Sequence, residues 1–298
     1  IVTFQSQNEI GDCLRTIYEK FKSFNYEIII IDNDSRDSTV NIICEKYPKV
    51  KLLQNKINLG FAKANNIAVS KANGKYLLFL NPDTIIIKEN IIDMLTFIAK
   101  NKNVGVLGPK ILNKKHSPQF SCGDQPRLMT TFVEIFHIGT LFKKKVLGSW
   151  IDMSKIVDPT TVGWVSGAFL LVKKEIFLMI GGFDENIFMY TEDVDLCLRL
   201  KKEGYKTIYF PDYSVVHLEG KSSRQNRKLA VISGHNSRIY FYNKHFGKFH
   251  CIAIRMLLII SSMIKVVALY LFLKNDDNRE KMEAHIAALM KLLSFKHT

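Results

Sequence analysis

The sequence predicts an α/β fold: a mostly parallel, Rossmann-like sheet flanked by helices, followed by an amphipathic, apolar helical tail. Three observations predict it. Short apolar runs alternate with segments of helical period through the first half of the chain, the order of a doubly wound sheet. Two runs, residues 28–31 and 77–80, are apolar without interruption and stop at an acid or a Pro-Asp turn, the pattern of strands buried on both faces. A chain of 298 residues, 47% of them hydrophobic, suffices for one large core or two modest ones.

Residues 1–4 read as a strand, and Ile10, Leu14, Ile17 and Phe21 repeat at helical spacing. Residues 27–31 form a buried strand ending at Asp32. Val40, Ile43, Cys44 and Tyr47 mark a helix, residues 50–53 a strand, and the small residues after Gly60, through Ala72, another helix. Residues 76–80 are the next strand, halted by Asn81-Pro82-Asp83 because proline cannot extend an interior ladder. Ile91, Leu95 and Ile98 form an amphipathic helix before a strand at 104–107. Over 113–162 the pattern weakens, as in a variable insertion. Order returns at Gly163-Trp164-Val165-Ser166-Gly167, then a strand at 168–172, a helix at 175–180 and two short strands at 207–210 and 215–217.

The chain opens on strand residues without an initiator Met and shows no signal-peptide pattern, so a few preceding residues are expected. At the other end, residues 251–273 are strongly apolar but contain Arg255 and Lys265. At about 100° per residue Arg255, Ser261, Ser262 and Lys265 share an arc of roughly 120°. A span would place Lys265 near mid-bilayer at roughly 2.5 to 3.5 kcal/mol, a cost that a helix lying in the membrane interface avoids. A packed, partner-facing helix and a true span stay open.

A net charge of +14 calls for an anionic partner: nucleic acid, acidic lipid or a phosphate-bearing substrate. Lysines cluster at 143–145 and between Lys221 and Lys228, without a helix-turn-helix, zinc-finger or RNP pattern, which argues against specific nucleic-acid binding. The five cysteines are scattered, odd in number and without metal-ligand spacing, as in a reducing compartment.

The acids are more informative. Asp184, Glu192, Asp193 and Asp195 crowd one short stretch of a basic chain. Thr191 is a good N-cap residue, and acids in a first helical turn are favoured by the helix dipole whatever the function. Asp32 and Asp83 stand at strand ends, where a turn or cap role competes with a ligand role. Ligands bind beyond the carboxyl ends of such strands; there one carboxylate can accept from a base or ribose while another holds a hard divalent cation.

Six motifs then carry a resemblance: Asp32-Asn33-Asp34-Ser35, Asn58-Leu59-Gly60-Phe61-Ala62, Asn81-Pro82-Asp83-Thr84, Gly182-Phe183-Asp184-Glu185, Glu192-Asp193-Val194-Asp195-Leu196 and His217-Leu218-Glu219-Gly220. In order and at suitable spacing over residues 1 to about 225, they resemble glycosyltransferase family 2, most closely its bacterial rhamnosyltransferase-like branch. The resemblance implies a GT-A fold and inverting, Mg²⁺- or Mn²⁺-dependent transfer from a nucleoside-diphosphate sugar. It makes Thr3, Phe4 and Asp32 the wall of the base pocket, puts Asp34 near the ribose, and has Gly60 and Asn65 flank the nucleotide. Asp83 would bind the metal, with Asn81 a neutral amide where an Asp-x-Asp form carries a charge, and His217 would lie near the metal or diphosphate. Gln5 stands where Asn is common.

Asp193 matches the family's base, with Glu192 and Asp195 orienting the acceptor or supporting that base. Gly167 would let the backbone approach the acceptor or simply turn the chain, and Trp164 would stack on sugar or fill core.

The implied organisation is a glycosyltransferase domain, 1–225, with a nucleotide-sugar half (1–112), an insertion (113–162) and an acceptor half (163–225). Residues 226–298 form a helical region that associates with a membrane or partner. The implied activity is hexosyl transfer, rhamnose from dTDP-rhamnose to a lipid-linked or polysaccharide acceptor of cell-surface glycan synthesis, peripheral at the cytoplasmic face of the bacterial inner membrane. A UDP-hexose, UDP-N-acetylhexosamine or UDP-galactofuranose donor is the alternative, and a non-catalytic sugar-nucleotide-binding scaffold a further one. Homo-oligomerisation stays open.

Overall fold

The computed structural model describes residues 1–138, 153–218, 226–271 and 276–294. The lysine triplet at 143–145, Lys221 and the Glu219-Gly220 end of the last motif lie outside the described residues. The chain divides into two compact units, Ile1–Gln125 with Trp150–Glu185 and Glu192–Glu219, and Pro126–Ser149 with Asn186–Thr191 and Gly220–Thr298.

The first unit begins with an all-parallel sheet. Strands β1 (Val2–Thr3), β2 (Ile29–Asn33) and β3 (Lys51–Asn55) pair in that order. Helix α1 (Ile10–Lys20) buries Ile10, Cys13, Leu14 and Ile17, the face its spacing predicts. Helix α2 (Thr39–Lys46) follows β2, and α3 (Phe61–Ser70) follows β3. The small residues Ala62, Ala64 and Ala68 of α3 are buried and let it lie close against its surroundings.

A second, mixed sheet has the order β4 (Tyr76–Leu80), β10 (Phe169–Lys173), β6 (Val104–Leu112), β11 (Lys206–His217) and β5 (Thr84–Ile86), with β8 (Thr160–Val162) paired to β11. Its β6–β11 pair is parallel; β10 is antiparallel to both neighbours, as is β5 to β11. A short pair, β7 (Cys122–Gly123) and β9 (Trp164–Val165), stands apart from both sheets. Parallel pairing therefore belongs mainly to the first three strands, and the strand after the insertion enters against the grain.

The two short strands expected near the end of this unit are one, β11, with a register shift between Phe210 and Ser214. Pro211 has no N–H for the ladder, and a bulge absorbs the fault without ending the strand. Running on, β11 sets His217 opposite Thr84 of β5, and Leu218 N–H donates to the Asp83 carbonyl at 3.0 Å.

Helices α4 (Ile91–Lys100), α6 (Lys174–Met179) and α7 (Glu192–Lys202) complete the unit. Phe79, Phe177 and Phe183 form a ring cluster with centroids 4.8–5.2 Å apart, anchoring the Gly-Gly-Phe turn that precedes the acids. Gly182, at φ 71°, leaves no room for a Cβ, which would stand 2.7 Å from Asn66 Oδ1. Arg199 closes the arrangement: its guanidinium donates to Asp195 at 2.7 Å and to the Ile180 and Gly182 carbonyls at 2.8 Å each.

The second unit is helical, with α5 (Leu128–Ile135), α8 (Arg227–Phe246), α9 (Lys248–Leu271) and α10 (Asp276–Leu293). Asn226 caps α8 by accepting from Leu229 N–H, and Gly247, at φ 85°, separates α8 from α9. Helices α8, α9 and α10 contact one another pairwise. The apolar tail is thus α9, and its polar arc faces inward: Ser261 and Ser262 are buried, and Ser261 donates to the Ile135 carbonyl. Phe249, Ile252, Met256, Met263, Tyr270 and Leu271 on the same helix are each more than half exposed.

Replacing Arg199 by Met would take the cation from the fully buried Asp195 carboxylate, a loss of about 3 kcal/mol. It should appear as a lowered Tm, partly restored by Asp195→Asn in the same chain; an unchanged Tm in the single variant would show that this pair does not brace the turn.

Candidate active site

The carboxyl ends of β1, β2 and β3 are knitted by side chains. Asp32 is buried, and its two oxygens accept from Thr3 Oγ1 and Ser35 N–H, both at 2.9 Å. Ser35 Oγ in turn accepts from Gln5 N–H at 2.9 Å. Gln5 and Asp34 hold φ of 54° and 66°, so both strand ends turn sharply. Asn55 donates to Asn33 Oδ1 at 2.8 Å, and Asn33 donates to the Gly60 carbonyl at 3.1 Å. Gly60, at φ 82°, supplies the left-handed turn into α3. Thr3, Asp32, Asp34 and Gly60 therefore come to one edge. Phe4 is half-buried beside Thr3, and Asp34 lies 3.5 Å from Arg36.

Asp83 and His217, 134 residues apart in the chain, meet through the β5–β11 pairing. His217 Nε2 stands 3.1 Å from Asp83 Oδ1 and 3.3 Å from Asn81 Nδ2. Its Nδ1 faces Gln119 Oε1 at 3.3 Å, while Gln119 Nε2 donates to the His217 carbonyl at 2.8 Å. A carbonyl only accepts, so the amide orientation is fixed and its oxygen must receive a proton from Nδ1. Nε2 then faces the Asp83 carboxylate oxygen, where either its own proton or a bound cation can bridge the two.

The donor set fits a hard divalent cation of the Mg²⁺ or Mn²⁺ kind, which needs few protein ligands when phosphates supply the rest. Among the described residues no group of three or more His, Cys, Asp or Glu side chains gathers into a self-sufficient metal cage. Gln119 was invisible in the sequence: it stands inside the insertion, and only the fold carries it to His217.

At the start of α7 the neighbouring acids differ. Asp193 Oδ2 accepts from Gly167 N–H and Oδ1 from Val194 N–H, each at 2.8 Å. Glu192 is buried, and its Oε2 has no hydrogen-bond partner among the described residues. Burial, with the Asp193 charge beside it, pushes the Glu192 carboxyl up to about 8. Burial also raises Asp193, opposed by its backbone N–H donors. Glu192 is the member of the pair that holds a proton and Asp193 the one that ionises. Tyr190 and Thr191, at φ 68° and 72°, bring the chain into α7 through the left-handed region, a strained setting for a β-branched threonine. A Cβ on Gly167 would stand 3.7 Å from both Asp193 and the Phe61 ring, so the Gly167 backbone neighbours each of them.

Three of the expected site residues are enclosed by partners of their own. Asp195 is fully enclosed and bonded to Arg199, which ties it to the Gly-Gly-Phe turn. Trp164 is buried in the cluster with Cys122, Val165 and Leu196, which agrees with the core-filling alternative held open for it. Asn65 is buried and donates back to the Phe61 carbonyl one turn earlier at 2.9 Å, steadying α3. Gly167 acts on the acid through its N–H, a role its turn position did not foretell.

Glu192 binds its proton more tightly in the folded chain than at its ordinary value near 4.5. Its contribution to stability is fully present below that ordinary value and declines as pH rises toward about 8. The Tm of the wild type relative to Glu192→Gln should therefore fall across this interval; a pH-independent difference would remove the protonated Glu192.

Comparison with known proteins gives this geometry a family. The family described as Glycosyl transferase family 2 matches residues 1–146, and Glycosyl transferase family group 2 matches residues 132–275. The N-acetylglucosaminyl-diphospho-decaprenol L-rhamnosyltransferase of Mycobacterium tuberculosis is 29% identical over 234 residues, 74% of this chain and 76% of that protein. Rhamnosyltransferase WbbL of Escherichia coli is 29% identical over 222 residues, 72% and 81% of the respective chains. Among solved structures, the mannosyltransferase PcManGT of Pyrobaculum calidifontis, in complex with GDP-Man and Mn²⁺, matches with a TM-score of 0.54 at 17% identity, covering 99% of this chain and 86% of that one, a likeness of fold. The chain belongs to glycosyltransferase family 2 and is similar, within it, to bacterial rhamnosyltransferases.

Proposed function

We propose that this protein transfers a sugar, rhamnose from dTDP-rhamnose, with inversion, to a lipid-linked acceptor of a bacterial cell-surface glycan. The observation that carries the reading is the Asp193 carboxylate, held by Gly167 N–H at the start of α7, in the unit that contains the Asp32 and Asp83 strand ends. A base and a donor edge in one unit are what single displacement requires.

Thr3, Phe4, Asp32 and Asp34 receive the base and ribose, with Gly60 turning the backbone beside them. Asp32 keeps acceptor capacity for a base N–H, since an ionised carboxylate takes about four hydrogen bonds and two are used internally. Asp83 and His217, with Asn81 beside them, would hold Mg²⁺ or Mn²⁺, whose charge offsets that on the departing diphosphate. Gln119 keeps the His217 lone pair turned to that place. Asp193 accepts the proton of the acceptor hydroxyl, and protonated Glu192 avoids a second negative charge beside it. The relatives' names support rhamnose and a lipid diphosphate acceptor. The exposed apolar face of α9 and the net positive charge support a peripheral seat on the cytoplasmic face of the inner membrane.

Purified protein with Mg²⁺ or Mn²⁺, given dTDP-rhamnose or a panel of UDP-sugars and an N-acetylglucosaminyl-diphospho-polyprenol acceptor, should yield a rhamnosylated lipid of inverted anomeric configuration. Asp83→Asn should weaken Mn²⁺-dependent donor binding by more than about tenfold. Turnover of a UDP-sugar alone would replace the donor assignment, and no turnover of any donor would overturn the reading.

A further inference from the structure

The interior of the helical unit contains polar groups that the proposed transfer site does not use. His235 and Arg238 stand three residues apart on α8, Ser262 and Lys265 three apart on α9, and His285 lies on α10; residues at that spacing share a helix face. The His235 and His285 rings lie 6.3 Å apart, and each has a buried Nδ1 without a hydrogen-bond partner among the described residues. Ser262 is only 1% exposed, and its Oγ is likewise unpartnered.

Lys265 and Arg238 both act electrostatically on His137 and His235, and Arg238 acts on Lys265, so these bases are neighbours. Among the described residues neither cation forms an ion pair, and the Glu134 carboxylate acts together with Arg238 on Tyr242. Burial and the adjacent positive charges hold both His235 and His285 down at about 4. Half-buried cations without counter-charges, beside unmet polar atoms, are costly unless something anionic joins them.

We infer that this interior binds a phosphate or diphosphate group carried on a membrane lipid, with Arg238 and Lys265 as the charge partners and Ser262, His235 and His285 as hydrogen-bonding groups. Three observations favour a lipid-borne group. Among the described residues the cations have no ion-pair partner; Ser262 and Lys265 belong to the one described helix long and apolar enough to cross a bilayer; and that helix exposes an apolar face opposite them. With that face in the acyl boundary, its inward side lies about one helix diameter above, at the level of lipid phosphates. The inference names a contact for the lipid-linked acceptor and rests on that reading only for the choice of lipid.

The test compares wild type with Arg238→Met/Lys265→Met in the full chain. Phosphatidylcholine vesicles doped with a polyprenyl diphosphate should bind the wild type at least tenfold more tightly than undoped vesicles, and the double variant should lose that preference. Inorganic pyrophosphate should raise the wild-type Tm and leave that of the variant unmoved. The variant should still bind dTDP-rhamnose in the presence of Mn²⁺ and melt no lower than the wild type, which separates loss of this site from loss of the fold or of the donor site. Equal binding to doped and undoped vesicles by the wild type, or an equal preference in both proteins, would overturn the inference. A pyrophosphate response without a lipid preference would show a site for free phosphate and contradict the lipid assignment.

Discussion

The hydrogen bond from Gly167 N–H to Asp193 joins two parts of the chain that no local pattern connects. One end lies in the loop between β9 and β10, and the other opens α7. Its geometry depends on two supports. Val194 N–H fixes the other carboxylate oxygen, and the Arg199–Asp195 pair with the Phe183 ring holds the turn before α7. Loosening any of these would let the acid swing on its helix terminus, and a misplacement of about 1 Å can cost a hundredfold in rate.

The electrostatics follow from the same packing. Burial alone would protonate both Glu192 and Asp193, but only Asp193 receives two backbone N–H donors, so the proton settles on Glu192. Among the described residues, backbone donors and not a cation set the two adjacent acids apart. At the other end of the site, Gln119 does comparable work by fixing which nitrogen of His217 carries the proton.

Much of the fold was legible because periodicity reports which face of an element is buried: α1, α3, α4, β4 and β10 lie where their apolar residues place them. Periodicity says nothing of partners. It could not show that β11 runs through Pro211, since a bulge is a property of the pair and not of one strand. Nor could it orient α9: the arc of Arg255, Ser261, Ser262 and Lys265 was plain, but whether it met water or other helices depended on α8 and α10. Of the candidate site, Asp32, Asp83, Asp193 and His217 stood out through their motifs. Gln119 was not, and Asp195 and Trp164 carried the residue types of a binding site into positions that the fold closes.

The most direct test of the account is the pH dependence of kcat/KM for sugar transfer by the wild type and by Asp193→Asn. The account predicts an acid limb in the wild type with its midpoint above the ordinary carboxylate range. The Asn variant should retain donor binding but lose transfer by about 10² to 10⁴, together with that limb. An Asn variant that transfers sugar at near the wild-type rate, with the acid limb intact, would contradict Asp193 as the base and with it the central claim.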